Sequence, residues 1–333
     1  MRLLVLGGTH HVGRAVVEEA LRRGDEVTTV TRGLSGPPAE GARAIYVDRT
    51  DRFALSTALA DEEWDAVVDT WSAAPRAVRD SAALLADRVG HYVYVSSRSV
   101  YRWPLPVGLD ESAPVVDASS TSGDPSDYAA AKRGGELAVL EAFAGRAVLA
   151  RAGLILGPYE VVGRLPWWLG RMARGGSVLA PGPPDRKLQY VDARDLAVWM
   201  LKAADRRLSG VFNTVSEPGH ATMRELLGAC NAVTGGHGEL VWTPPEVIEA
   251  AGVSGWTELP IWVPPTGELA GLHDGDVAAV HGEGLLCRPV HDTVADTWRW
   301  LQTEGHPTTP AGRTSLGLDF DTEQRILAAM ASQ

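Results

Sequence analysis

Tyr128 and Lys132 stand four residues apart in Tyr128-Ala129-Ala130-Ala131-Lys132. On a helix that spacing puts both side chains on one face. A free phenol ionises near pH ~10, and an adjacent ammonium stabilises the phenolate and lowers that value. Such a tyrosine can trade a proton with an alcohol or carbonyl near neutral pH. The chain has only three lysines among its 31 basic residues, so a lysine at this spacing carries information. A second set of polar groups lies in Val95-Ser96-Ser97-Arg98-Ser99-Val100-Tyr101. A serine at a strand end can hydrogen-bond a substrate oxygen and share its developing charge. Small hydroxyls are common at strand ends, so these serines gain weight from Tyr128 and Lys132.

The N-terminus carries Gly7-Gly8-Thr9-His10-His11-Val12-Gly13. Gly7 can supply a tight turn, and Gly13 can let a helix and a strand pack closely. Amides at a helix N-terminus can bind a pyrophosphate. His10 stands where a dinucleotide fingerprint usually has its middle glycine. The plain alternative is an ordinary tight turn. The next strand ends in Val30-Thr31-Arg32-Gly33. An NAD site normally has an acid here to hold the ribose 2′-hydroxyl. Thr31 occupies that place and Arg32 follows, and a guanidinium suits a 2′-phosphate. The spacing therefore predicts a preference for NADP(H), with NAD(H) still able to bind; a mere surface arginine is the alternative. Asp48 is placed to meet the adenine amino group, with Arg49 stacking or pairing beside it.

These residues need elements to position them. Leu3–Leu6, Val27–Val30, Ala44–Val47, Ala66–Asp69, Tyr92–Val95 and Ala147–Ala150 read as strands. Val12–Arg23, Arg76–Val89 and Tyr128–Ala142 read as helices between them. Alternation of this kind predicts an α/β fold, a doubly wound parallel sheet covered on both faces. Past residue 158 Pro, Gly and Trp crowd the chain, and eight of the eleven tryptophans lie at or beyond Trp167. That half reads as a smaller, irregular cap with a pocket, not as more sheet. Helical stretches recur at Asp195–Ala204, Met223–Thr234 and Thr293–Thr303. The expected division is 1–158 as a dinucleotide-binding core, with 191–215 returning to it. Residues 159–190 and 216–303 form the substrate-binding cap, and 304–333 a tail with one short helix.

The chain has 333 residues, 45% apolar and 22% charged, which excludes a disordered chain. A net charge of −11 argues against nucleic acid or an anionic membrane as main partner. No apolar run reaches a membrane span or a signal-peptide core. Cys230 and Cys287 are the only cysteines and have no metal-ligand spacing, so no metal and a reducing cytoplasm are expected. Cys230 reads as a buried helix residue.

The glycine turn, Ser-Ser-x-Ser-Val-Tyr, Tyr128-x-x-x-Lys132, Arg151-x-Gly153-x-Ile155-x-Gly157-Pro158 and Val191-Asp192-x-Arg194-Asp195-Leu196-Ala197 resemble the short-chain dehydrogenase/reductase superfamily. More narrowly they resemble its extended or atypical branch, the NAD-dependent epimerase/dehydratase-like proteins. The similarity spans about residues 1–303. It implies a Rossmann fold with hydride transfer on nicotinamide. It also implies Tyr128 as acid/base, Lys132 as its tuner and Ser97 as the donor to the substrate oxygen, with Ser96 and Ser99 as neighbours that could be confused with it. The expected cofactor contacts are Gly7, Thr9, His10, His11, Val12, Gly13, Arg32, Asp48, Arg49, Thr70, Ser96, Gly153 and Leu154. Relatives often dimerise through the tyrosine helix and the one before it, so a homodimer is expected.

Departures from the family pattern narrow the activity. Sugar dehydratases of this kind place Asp-Glu after the catalytic hydroxyl, whereas Ser97 is followed by Arg98-Ser99. Sugar-nucleotide epimerases hold a diphosphate with two arginines, and those positions fall at Leu188 and near Val280, although Arg186 could substitute for the first. The extra active-site asparagine has no obvious counterpart. The substrate is therefore expected to be a small molecule without a nucleotide handle. Trp103, Trp167, Trp168, Trp256 and Trp262 are candidates to line its pocket, packed core being the alternative for each. Glu160, Arg186 and Gln189 could add polar selectivity. The leading expectation is an NADP(H)-dependent carbonyl reductase or alcohol dehydrogenase. An epimerase with self-recycling cofactor and a non-catalytic NADP-binding protein are the alternatives.

Overall fold

The computed structural model describes residues 1–34, 36–60, 62–305 and 316–332. In chain order the first half runs β1 (Arg2–Leu6), α1 (His11–Arg22), β2 (Glu26–Thr31), β3 (Arg43–Tyr46), α2 (Arg52–Leu59), β4 (Trp64–Asp69), α3 (Pro75–Leu85), β5 (Val89–Ser97), α4 (Tyr128–Phe143) and β6 (Ala147–Ala152). It continues through β7 (Leu154–Leu156), α5 (Arg164–Ala173), β8 (Gly176–Pro181), β9 (Lys187–Leu188), β10 (Tyr190–Asp192), α6 (Ala193–Asp205) and β11 (Gly210–Thr214). The rest comprises β12 (Ala221–Thr222), α7 (Met223–Val233), β13 (Gly238–Thr243), α8 (Pro245–Ala250), α9 (Ala278–Gly282), α10 (Val290–Glu304) and α11 (Phe320–Ala331).

Seven strands form one parallel sheet in the order β11-β6-β5-β4-β1-β2-β3. The central strands are buried on both faces, which explains their nearly unbroken apolar runs such as Leu3–Leu6 and Tyr92–Val95. Helices α1 and α6 cover one face and α2, α3 and α4 the other. The order reverses between β1 and β4, where Leu6 pairs with Asp69. Ligands of such sheets sit in the crevice at the carboxyl ends of those strands. This is a Rossmann-like α/β fold.

The cap is more regular than its composition suggests. Its own core gathers Trp168, Leu169, Met172, Tyr190, Leu226 and Trp262, with Ile326 and Leu327 of α11. It also contains parallel pairing of β8 with β13, which corrects the expectation of no further sheet. The glycine- and proline-rich flanks hid these strands, because a six-residue strand has too short a pattern to outweigh its surroundings. The loop expected in the tail falls largely in 306–315, outside the described residues. Among the described residues no helix is long and apolar enough to cross a membrane.

Candidate active site

The turn after β1 is built from glycines because nothing larger fits. Gly7 has φ +123°, and a Cβ there would lie 2.3 Å from Thr70 Oγ1. A Cβ on Gly13 would lie 2.7 Å from the Gly8 nitrogen, so this residue lets α1 begin directly against the turn. His10 is the exposed N-cap residue of α1 and makes no side-chain cap. His11 turns inward instead. Burial drives its pKa down to about 4, opposed by a hydrogen bond with the Leu156 carbonyl, so its ring is neutral. Its side chain therefore faces β7, and what it offers at the turn is backbone. The Val12 side chain is core.

An open cleft, with a cavity volume of about 170 Å³, runs from this turn along the ends of β2, β3 and β4. Gly7, Thr9, Thr31, Arg32, Asp48, Arg49, Thr70 and Trp71 line it. Arg32 is exposed at the rim. Asp48 Oδ1 accepts from Thr50 N at 2.9 Å and Thr50 Oγ1 at 2.7 Å. These bonds, with help from Arg32, hold its carboxyl below the usual range.

Arg49 does something other than expected. Its guanidinium is buried and grips both oxygens of Asp69, at 2.6 and 2.8 Å, and donates to Ser81 Oγ at 2.9 Å. It is a wall of the pocket and not a free partner for adenine. Asp69 also accepts from Tyr92 Oη at 2.6 Å and Trp71 N at 2.9 Å. Sequence reasoning missed Asp69 and Trp71; an acid closing an otherwise apolar buried strand was the available signal.

Tyr128 opens α4 and is 47% exposed. Asp127 caps the first turn by accepting from Ala130 N at 3.0 Å. Lys132 is buried one turn on. Its Nζ donates to the Trp71 carbonyl at 2.5 Å and the Val95 carbonyl at 2.6 Å. Desolvation pulls its pKa down to about 8, against the attraction of Asp69 and Glu136.

The three serines now separate. Ser96 is buried and donates to Glu136 Oε1 at 2.7 Å, so its side chain does not serve the cofactor as expected. Ser97 is half-buried; its Oγ accepts from Ser99 N and donates to Ser99 Oγ, both at 3.1 Å. Ser97 and Ser99 therefore form a linked pair of hydroxyls at the end of β5. Glu136 also takes Arg151 at 2.8 and 3.0 Å and Arg133 at 2.8 Å. It clamps α4 to β5 and β6. Its spacing, one turn beyond Lys132 in a mostly apolar helix, was a signal left unread.

A family model described as the NAD dependent epimerase/dehydratase family matches residues 3–214. The chain belongs to this family. It is 34% identical over 222 residues to 2'-dehydrokanamycin reductase of Streptomyces kanamyceticus, a match covering 62% of this chain and 59% of that protein. The chain thus spans about 59% of the length of that curated relative. Among solved structures it is similar to WbmH of Bordetella bronchiseptica in complex with NAD+, with a TM-score of 0.66 at 18% identity. That match covers 91% of this chain and 99% of the other. UDP-glucose 4-epimerase of Thermotoga maritima gives a TM-score of 0.65 at 16% identity over the same shares. At these identities the likeness is one of fold.

In this epimerase/dehydratase-family enzyme most expected substrate residues are structural. Trp168 and Trp262 are core and donate their indole N–H to the Pro260 and Gly182 carbonyls. Trp167 is covered by the tail: a Cβ on Gly317 would lie 1.8 Å from its Nε1. Trp256 is half-buried and lies under the Arg164 guanidinium at 4.4 Å. Only Trp103 of the five, 41% exposed, lies open to solvent. Gln189 is buried with its amide fully bonded, to Ser216, Gly275 and Arg98. Arg186 is half-buried and donates to the Ala270 carbonyl at 2.8 Å. Gly153 packs against Val215, while the Leu154 side chain belongs to the cap core. Leu188 and Val280 are fully buried, so neither position presents a cation to a diphosphate.

Glu160 is corrected likewise. It is buried and accepts from Arg164 N at 2.7 Å and Leu165 N at 3.2 Å, satisfying the first amides of α5. Burial raises its pKa to about 7 from an ordinary 4.5, although those amides and Arg164 oppose the rise. Between those values the folded protein holds a proton that the unfolded chain has released. Its contribution to stability is therefore expected to fall as pH rises from about 4.5 to about 7, then level off. Urea midpoints across pH 5–8 check this: the slope should be present in wild type and missing in Glu160→Gln.

Proposed function

We propose that this chain is an NADP(H)-dependent carbonyl reductase, acting on a small molecule without a nucleotide handle. The observation that carries it is Lys132 docked on the carboxyl end of β5 near Ser97, with Tyr128 one turn before it on α4. Lys132 bonds the Val95 carbonyl two residues before Ser97, and the Trp71 carbonyl beside the cleft. The residues present fit a dinucleotide. A side chain at Gly7 or Gly13 would fill the turn, and the cleft beyond it is lined by Thr31 and Arg32 in place of an acid.

The cleft residues Gly7, Thr9 and Arg32 would hold a reduced nicotinamide cofactor, which would supply the hydride for the carbonyl carbon. Tyr128 gives its phenolic proton to the carbonyl oxygen, so the products are the alcohol and oxidised cofactor. The Lys132 ammonium lowers the cost of the phenolate left behind. Ser97 donates a hydrogen bond to the same oxygen as it gains charge. The buried Leu188 and Val280 support a substrate lacking a diphosphate. The relative named as a reductase supports reduction over epimerisation.

Arg32→Ala is expected to weaken NADPH binding by about tenfold or more, in line with roughly 1.5–3 kcal/mol for a charge-assisted bond, while leaving NADH nearly unchanged. Titration of both cofactors by fluorescence measures this. Equal losses for the two would refute the 2′-phosphate role. Oxidised cofactor surviving purification would favour the epimerase alternative.

A further inference from the structure

Four arginines are buried among the described residues: Arg49, Arg98, Arg151 and Arg171. Three hold a carboxylate, Asp69, Glu136 and Glu323 respectively. Arg98 holds none. Its Nη1 donates to Gln189 Oε1 at 3.2 Å and to the Leu272 carbonyl at 3.1 Å. Its Nε and Nη2 are buried and without a hydrogen-bond partner among the described residues. Nη2 lies against Gly275, where a Cβ would come within 2.2 Å of it. An incompletely paired buried charge is a poor way to hold a fold, since an apolar side chain of similar volume is often as stabilising or more so. Its placement suggests what it does instead. Arg98 directly follows Ser97, within the short helical turn Arg98–Val100. Its anchors all lie in the second half of the chain. Gln189 in turn holds both the carbonyl and the amide of Gly275, each within 2.9 Å.

We propose that Arg98 is a positioning residue. It locks the serine-bearing turn to the Leu272–Gly275 segment of the cap, so that the Ser97 hydroxyl keeps its place relative to a carbonyl compound seated against that cap. The proposal rests on the reading of Ser97 as the donor to the carbonyl oxygen. Gln189 is the other half of the latch, and Gly275 is the residue small enough to receive the guanidinium.

The test compares wild type, Arg98→Met and Arg98→Lys as full-length proteins. Arg98→Met is expected to melt within about 3 °C of wild type, or higher, because a costly buried charge has been removed. Hydrogen exchange should nonetheless rise about tenfold or more in both 97–101 and 270–276, with α3 unchanged. With NADPH and 2,3-butanedione, kcat should fall roughly 10- to 100-fold, as for a misplaced group, and KM should stay within about threefold. Arg98→Lys should recover part of both losses. If Arg98→Met does not fold, Arg98→Lys and Gln189→Leu carry the same two readouts. Unchanged exchange in either segment overturns the latch, and faster exchange with unchanged kcat overturns its role in positioning Ser97. A wild type that reduces no carbonyl counts against the reductase reading alone, and exchange still decides the latch.

Discussion

Tyr128→Phe is expected to lower carbonyl reduction by roughly 10²–10⁴-fold, the usual worth of a positioned general acid, while NADPH still binds. The substitution deletes one oxygen from a side chain that is 47% exposed in the first turn of α4. The turn keeps its Asp127 cap, and Lys132 keeps its bonds to the Trp71 and Val95 carbonyls. The fold and the cofactor cleft should therefore survive. What is lost is the proton for the carbonyl oxygen, needed only as the C–O bond becomes an alcohol. The loss should thus fall on kcat and kcat/KM alike. NADPH oxidation followed at saturating carbonyl substrate measures turnover, and a fluorescence titration measures cofactor affinity. A variant that keeps more than a tenth of wild-type turnover would remove Tyr128 from the mechanism.

The second large effect is on stability. Arg49→Met should destabilise the protein by about 3–5 kcal/mol, because it leaves a buried carboxylate without its cation. Asp69 is completely buried, and Arg49 holds its carboxyl below the ordinary range by charge and hydrogen bonds against the pull of desolvation. Tyr92 and the Trp71 amide remain as partners, which favours the lower end of that range. The sign of the pH dependence follows. A depressed carboxylate pKa contributes stability at pH above the unfolded value and loses it as pH falls. The gap between wild type and variant should therefore be full at neutral pH and shrink below about pH 4. Urea unfolding at pH 7 and pH 3 provides the measurement. An adenine-binding Arg49 would behave in the opposite way, with stability kept and nucleotide affinity lost.

Parts of the candidate site's local geometry were legible in the sequence. The glycine turn, the Tyr128–Lys132 spacing and the strand-end serines are encoded within seven residues each. Their geometry follows from backbone sterics and helix periodicity, which neighbours in sequence set. The alternating strands and helices were likewise read from local apolar runs, so the sheet was expected before its order was known. Ser96, Ser97 and Ser99 could not be told apart at that level, because the deciding partner of Ser96 is Glu136 on α4.

Only the tertiary structure decided which polar and aromatic side chains are free to meet a ligand. Arg49, Glu160, Gln189 and Trp167 have the chemistry of binding residues in isolation. Folding uses them otherwise: Arg49 to neutralise Asp69, Glu160 to cap α5, Gln189 to join the Gly275 segment, and Trp167 to pack under Gly317. Except for Glu160, each is claimed by a residue at least 20 positions away. Sequence by itself determined the chemistry available, because residue type and local spacing carry it. Burial and pairing determined where that chemistry is spent, because desolvation compels a buried polar group to take whatever partner the distant chain brings to it.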